Sequence, residues 1–281
     1  MRGKLLNWRL GNEKHRLIWG QILSTLILVL ASGLGVWGFL FPFFTPAIEQ
    51  GASRGQAHAQ DAPLIFVLFL GLCLVVIVAN LETGQMDARL TAVLGILVGL
   101  NATLRLIPGP AGFSAIFFLP ILCGYVFGPT FGFLLGALST LVSAIMTGGM
   151  GPWLPFQMFA AGWVAVVAGW LPQLPRHQRL EVLLLAGWGF FSGFLFGLVM
   201  NLWFWPYLAA PGGDGEQAGQ LWQPGLGLGP ALLRYSLFYL TTSLWWDIGR
   251  AAGNFLLLLF VGLPTLRLLR RFQQRFHFTA F

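Results

Sequence analysis

The first candidates for chemistry are Asp247, Arg250 and Asn254, which interrupt a long apolar stretch near the end of the chain. Spacings of three and four residues place all three on one face of a helix. A charge at the centre of a membrane-spanning helix costs roughly 2.5–3.5 kcal/mol on insertion scales, and an Asp–Arg pair lowers that cost. The pattern predicts either the polar wall of an outward-facing ligand site or a salt bridge that ties this helix to a neighbour.

Three further polar residues lie near the outer ends of apolar runs. Asn101 and Arg105 are four residues apart in the third run, and Asn201 lies in the outer half of the seventh. Each is a candidate ligand contact. Arg105 is equally explained by a side chain that snorkels to the interface, and Asn201 by hydrogen bonding between helices.

The turn at residues 147–157, with the sequence TGGMGPWLPFQ, is the stretch we expect to touch a ligand. Its glycines permit positive φ or close backbone approach, whereas its prolines restrict the chain and suit a helix start. The turn presents Trp153 and Gln157. Trp153 also fits an interfacial aromatic belt, whereas an unpaired Gln157 carboxamide facing lipid would be unfavourable.

Several chemistries have no motif in the sequence. There is no phosphate-binding G-x-x-x-x-G-K-[ST] loop, no Ser/His/Asp or Cys/His set and no H-E-x-x-H, and the four histidines are far apart. A gradient-driven carrier usually shows several ionisable groups at mid-membrane and a repeated half, and neither is evident. We therefore expect no enzyme activity, no cofactor and no metal site.

The composition places these residues in a membrane. Of the 281 residues, 57% are hydrophobic and 9% are charged, and the mean hydropathy is +0.76. Soluble domains carry about 25% charged residues. The fold class is therefore an all-α polytopic membrane protein.

Eight membrane spans are predicted from the apolar runs. They are residues 17–44, 63–81, 88–107, 113–127, 130–147, 154–171, 181–206 and the last stretch, 231–265. The fourth and fifth are shorter than the ~20 residues of a perpendicular span, so one of them is predicted to be irregular. The last stretch is too long for one perpendicular span, and its first third is predicted to be an outer-face or re-entrant piece.

Charge asymmetry predicts the orientation. With eight spans and an internal N-terminus, 12 of the 16 Lys and Arg residues fall in cytoplasmic tails and loops. The positive-inside rule then places both termini in the cytoplasm and the turn at 147–157 outside.

Small residues recur at helical spacing on several spans. Glycines four residues apart on the fifth and seventh spans predict close helix packing; they are Gly132, Gly136, Gly189, Gly193 and Gly197. On the third span, Ala88, Ala92 and Gly95 form a smooth stripe near the cytoplasmic end. That stripe predicts either internal packing or a docking face for another membrane subunit.

Several of these stretches together resemble the substrate-binding S component of energy-coupling factor (ECF) transporters. They are residues 113–129, Gly132 with Gly136, the G-x-G-P-W-x-P-F-Q-M run at 149–158, Gly169, and 247–251. The resemblance covers about residues 86–281, a six-span domain. Ala88 and Ala92 are similar to the A-x-x-x-A signature by which such subunits dock on their transmembrane partner. Residues 1–85 depart from the six-span pattern and form an added module with two transmembrane helices and an external loop.

The resemblance implies a capture subunit of an ABC importer in the plasma membrane of a prokaryote. Its cargo would be a vitamin or related micronutrient, with a corrinoid such as cobalamin or a precursor as the first candidate. A transmembrane T component and two cytoplasmic ATPases would drive transport, and the S component would topple in the membrane to release its cargo. Two other functions stay open: a membrane scaffold or assembly protein without cargo, and a stand-alone secondary carrier.

Overall fold

The computed structural model describes residues 2–44, 61–82, 86–107, 109–208, 222 and 226–277, and these ranges contain helices and no β-strand. The nine α-helices of these ranges are α1 (Arg2–Leu40), α2 (Ala62–Glu82), α3 (Ala88–Leu106), α4 (Phe118–Phe127), α5 (Pro129–Thr147), α6 (Leu154–Trp170), α7 (Gln178–Phe204), α8 (Leu228–Thr242) and α9 (Leu244–His277). The same ranges also contain four short 3₁₀ helices, at Phe41–Phe44, Pro110–Gly112, Ala115–Phe117 and Trp205–Leu208. The predicted all-α class is confirmed.

Six of the described helices are long and apolar enough to cross a membrane. They are all or part of α1, α2, α3, α5, α7 and α9. The apolar segments Ala115–Phe127 and Leu154–Trp170 are shorter. These eight segments correspond to the eight predicted spans, and the protein is a multi-pass membrane protein.

The predicted irregular span is the fourth. Residues before Phe118 form extended backbone and a 3₁₀ turn, so that α4 itself has only 10 residues. Non-helical backbone at membrane depth is tolerated where protein shields it, and Ile116 and Phe117 are both buried.

The last apolar stretch divides at Ser243, whose φ of −121° and ψ of −26° separate α8 from α9. The prediction of a separate first piece is confirmed. The predicted end at residue 265 is wrong, because α9 continues through Pro264 and the arginine-rich segment to His277. The basic segment before residue 17, predicted as a tail, is likewise helical from Arg2.

Glycines set the close packing of α4, α5 and α6. A methyl group on Gly132 would lie 2.6 Å from the Cα atom of Gly124, and one on Gly169 would lie 2.7 Å from the backbone nitrogen of Pro129. Such contacts require backbones to touch, as small residues allow in membranes.

Glycines also bring α7 against α9. A methyl group on Gly193 would lie 2.6 Å from the Cα atom of Ala251, and one on Gly197 would overlap the Asp247 carboxylate. The predicted packing role of these glycines is confirmed.

The two N-terminal helices form a pair with a buried polar contact. Ser24 donates to the side-chain oxygen of Asn80 at 3.2 Å, and the two residues are 3% and 2% exposed. A hydrogen bond between apolar helices fixes their register because an unsatisfied amide is costly there.

Candidate functional site

The charged pair of the last span is buried at the start of α9. Asp247, which is 1% exposed, forms an ion pair with Arg250 one turn along the helix. Tyr239 of α8 donates to the other carboxylate oxygen, Oδ2, at 2.9 Å. Both carboxylate oxygens therefore accept a hydrogen bond, as a buried charge requires.

The helix positions account for this arrangement. Asp247 lies in the first turn of α9, where the positive end of the helix dipole favours a carboxylate. Its backbone amide bonds the carbonyl of Ser243 at 3.0 Å, so that the turn between α8 and α9 positions the acid directly.

Arg250 makes two further contacts, both with α7. Its guanidinium donates to the Gly193 carbonyl at 3.4 Å and lies over the Phe196 ring, 5.2 Å from the ring centroid. A cation over an aromatic face is attracted by the ring quadrupole. α7 thus orients the guanidinium through both its backbone and a side chain.

Asn201 lies beside this pair and retains unused hydrogen-bonding capacity. It is 5% exposed, and its side-chain oxygen accepts from Ser243 Oγ at 3.0 Å. Its Nδ2 atom is buried and has no hydrogen-bond partner within the described part of the chain. An unpaired buried amide is costly, so this donor is available to a hydrogen-bond acceptor in the cavity.

A cavity of about 370 Å³ opens at these residues. Its lining comes from α7, the α8–α9 turn and α9: Phe196, Gly197, Met200, Asn201, Thr242, Ser243, Trp246, Asp247 and Arg250. Its size is within the range of small-molecule sites. Three predicted site residues, Asn201, Asp247 and Arg250, line it together.

Asn254 is fully buried and is not among the lining residues. Its Nδ2 donates to the Arg250 carbonyl at 2.9 Å. It therefore supports the helix that carries the pair.

Arg105 belongs to a different polar network. Its guanidinium donates to Ser143 Oγ at 2.7 Å, to the Thr140 carbonyl at 3.4 Å and to Gln157 Oε1 at 3.2 Å. These bonds join α3, α5 and α6. Two residues predicted as ligand contacts, Arg105 and Gln157, thus contact each other.

Asn101 continues this network toward the irregular fourth span. It is fully buried and donates to the Ile116 carbonyl at 3.1 Å and to Ser139 Oγ at 2.8 Å. The first bond ties α3 to the backbone of the 3₁₀ turn that precedes α4.

The turn after α5 has the positive φ that its glycines permit. Gly148 has a φ of +66° and ends α5 in the left-handed conformation. Trp153 Nε1 donates back to the Gly149 carbonyl at 3.2 Å, and its ring meets the edge of Trp203, with 6.2 Å between centroids. Trp153 is therefore fixed to the turn and to the C-terminal end of α7, where Trp203 lies two residues beyond Asn201.

Sequence reasoning missed Tyr239 and the lining residues Thr242, Ser243 and Trp246. A buried acid that accepts from one arginine still needs a second donor, and a nearby tyrosine in the same apolar stretch was the available signal. Tyr239 supplies that second donor.

A second buried ion pair was also missed. Arg270 donates to the two carboxylate oxygens of Glu181 at 2.5 and 2.9 Å, and Tyr125 donates to Glu181 at 2.7 Å. This cluster joins α4, α7 and α9. The sequence signal for Arg270 was masked because terminal arginines are explained by the positive-inside rule.

The predicted docking stripe lies on an open face of α3. Ala88, Ala92 and Gly95 are exposed, and a methyl group on Gly95 would meet nothing within 4 Å. In the ranges that the structure describes, no group of three metal-ligating side chains occurs.

The structure thus combines a bundle of apolar helices with a polar cavity large enough for a small molecule. Residues 88–212 match the family described as "ECF transporter, substrate-specific component". This region of the chain is therefore similar to the substrate-specific component of ECF transporters, which is a transport subunit. No curated protein and no solved structure matches the chain.

The matched region ends before α8 and α9. It contains α3 with the predicted docking stripe, the turn at 147–157 and Asn201. Asp247 and Arg250 complete the cavity from outside the matched region.

Proposed function

We propose that the chain captures a vitamin or related micronutrient from outside the cell for an ECF-type ABC importer. The family match supports a substrate-specific subunit, and the cavity at Asn201, Asp247 and Arg250 is the observation that carries the binding role. A T component and two cytoplasmic ATPases would supply the energy. Both termini would lie in the cytoplasm, as the distribution of Lys and Arg predicts.

The chemistry of the cavity favours cargo with hydrogen-bond acceptors. The Asn201 Nδ2 atom is a buried donor without a partner, and each Asp247 oxygen already accepts a bond. A carboxylate, phosphate or carboxamide oxygen would satisfy Asn201 and meet the Arg250 guanidinium.

A corrinoid is our first candidate cargo. Its side arms carry carboxamide oxygens, which suit the donors of the cavity. A volume of about 370 Å³ accommodates one edge of such a molecule, and the remainder would extend toward the aromatic side chains of Trp153 and Trp203. Flat aromatic surfaces contribute large buried area and stack on planar ligands.

Ala88, Ala92 and Gly95 would be the docking face for the T component. They are exposed on α3, whereas Asn101 and Arg105 of the same helix point into the bundle. Smooth faces of small residues allow close helix approach between membrane subunits.

The test is a binding panel with the protein purified from its own host and placed in lipid nanodiscs. Water-soluble vitamins, cyanocobalamin and cobinamide are titrated, and native mass spectrometry identifies retained molecules and partner subunits. We expect tight binding of one panel member by the chain alone, with uptake only when partner subunits are present.

Asp247→Asn is the matched variant. It leaves Arg250 without a counter-charge, and breaking a buried pair costs roughly 3–5 kcal/mol, so affinity or folded yield should fall. Glu82→Gln, which changes an exposed acid, is the control. No binding across the panel, with unchanged stability of Trp153→Ala and Gln157→Ala, would instead support a scaffold protein.

A further inference from the structure

The N-terminal helix pair packs directly behind the predicted ligand-contacting turn. The rings of Phe156 and Phe159 on α6 lie against Gly38 and Gly35 of α1, where larger residues would overlap or crowd them. Phe39 meets Phe156 edge-on, with 5.0 Å between centroids. The first turns of α6 therefore rest on α1.

The same aromatic contacts continue toward the cavity. Phe156 is 1% exposed and packs on Trp203 at 6.2 Å, and Trp203 in turn meets Trp153. Phe156 thus lies between α1 on one side and the outer end of α7 on the other. Gln157, the next residue, bonds Arg105.

A second contact involves the segment after α1. Phe43 packs against Trp205 at 6.0 Å and against Trp222 at 5.8 Å. Trp205 is 2% exposed and meets Tyr235 of α8 at 5.0 Å. Tyr235 donates to the Leu198 carbonyl, and Tyr239, one turn further along α8, donates to Asp247.

We propose that the N-terminal helix pair is part of the substrate site. Phe39 and Phe43 are positioning residues that hold an aromatic wall, formed by Phe156, Trp203 and Trp205, next to the cavity. Phe39 supports Phe156 and, through it, Trp203, whereas Phe43 supports Trp205 and, through it, α8. The inference rests on the proposed function for the cargo itself, and it assigns a role to residues that lie outside the family match.

Aromatic pairs prefer edge-on contacts and are worth more than their buried area alone. Removing one ring leaves a cavity that neighbouring rings fill only in part. The free energy of local opening should therefore fall most in the segments that contact the removed ring and less in distant parts of the bundle.

The test compares Phe39→Ala and Phe43→Ala with Phe44→Ala in the full chain. Phe44 follows Phe43 in the same 3₁₀ turn and is 76% exposed, so it is a matched control. Amide hydrogen exchange is followed in residues 153–159, 199–208 and 228–240. Exchange there should accelerate roughly two- to tenfold in the two variants, the factor that loss of one aromatic pair corresponds to, and stay unchanged in the control.

Residues 178–182 and 267–273, at the opposite end of α7 and α9, serve as the internal reference. A rise confined to the outer segments supports positioning, whereas an equal rise at both ends or no rise would overturn it. Phe43→Leu keeps apolar volume without the ring and replaces Phe43→Ala if the alanine variant does not fold.

Binding of the vitamin found in the panel is measured on the same samples. Weaker binding by Phe39→Ala and Phe43→Ala, with normal binding by Phe44→Ala, supports a role in the site, and normal binding by all three overturns it. If no panel member binds the wild-type protein, the proposed function fails by itself, and the exchange measurement still decides whether the pair holds the wall.

Discussion

At position 197 a hydrogen atom stands where other residues have a side chain, and the Asp247 carboxylate occupies that space. The acid is buried, and its two oxygens are taken by Arg250 and Tyr239. The absence of a side chain at Gly197 of α7 therefore makes room for the buried Asp247 carboxylate of α9.

Gly197→Ala should displace the carboxylate and weaken the ion pair. Overpacking of a tight contact costs about 1–3 kcal/mol, so both thermal stability in detergent and cargo affinity should fall. Gly187→Ala on the same helix is the control, because a methyl group there meets nothing within 4 Å and alanine favours the helix. Equal behaviour of the two variants would contradict the packing argument.

Part of the candidate site could be predicted at this scale. The spacing of Asp247 and Arg250 along one helix predicted their contact, which the structure confirms. Tyr239 lies across the break at Ser243, where periodicity gives no information about which faces meet. The bond between Arg105 and Gln157 joins residues 52 positions apart, and no local pattern encodes such a contact.

Among the elements, α9 carries two buried ion pairs with different partners. Asp247 and Arg250 line the cavity, whereas Arg270 reaches Glu181 of α7 near the other end of the helix. At ~1.5 Å per residue the two pairs lie roughly 35 Å apart along the axis. One pair lines the cavity, and the other joins α9 to α7.

Arg270→Gln should destabilise the bundle and leave cargo binding intact. Glu181, which is fully buried, would lose its counter-charge, at a cost of roughly 3–5 kcal/mol. Thermal unfolding in detergent and vitamin affinity are measured, with the exposed neighbour Arg271→Gln as the control. A loss of affinity as large as that of Asp247→Asn would contradict the separation of roles.

Most helices were predictable because apolar runs and glycine-proline turns mark them. The bounds of α9 were missed beyond residue 265, because its arginines were taken for the charged flank of a span, although Leu266 and Leu269 are buried. The short α4 was anticipated as an irregular span, but the contact that stabilises it, from Asn101 to the Ile116 carbonyl, depends on tertiary structure.

In the molecule as a whole, α3 has two faces of different character, one polar and directed into the bundle and the other smooth and exposed. One face donates hydrogen bonds into the bundle through Asn101 and Arg105, and the other presents Ala88, Ala92 and Gly95 without side-chain bulk. A subunit that binds cargo and hands it to a partner needs both kinds of surface.

Ala88→Trp combined with Ala92→Trp should abolish uptake and spare cargo binding, because two indole rings prevent close approach of a partner helix. Vitamin binding in nanodiscs and uptake in cells that contain the partner subunits are compared. Val75→Trp, at an exposed position of α2, is the control for bulk in the membrane. Retained uptake in the double variant would remove the docking assignment.

Arg105 has one further consequence for a subunit that reorients during transport. The hydrogen-bond partners of Arg105 among the described residues are neutral, so its positive charge is not balanced by them. Each of the two buried ion pairs, in contrast, has a net charge of zero. A tilt that moved this guanidinium inward would carry one positive charge along the electric field of an energised cell, worth up to roughly 2.3 kcal/mol per 100 mV. Delivery of cargo would then speed up with membrane voltage even at constant ATP.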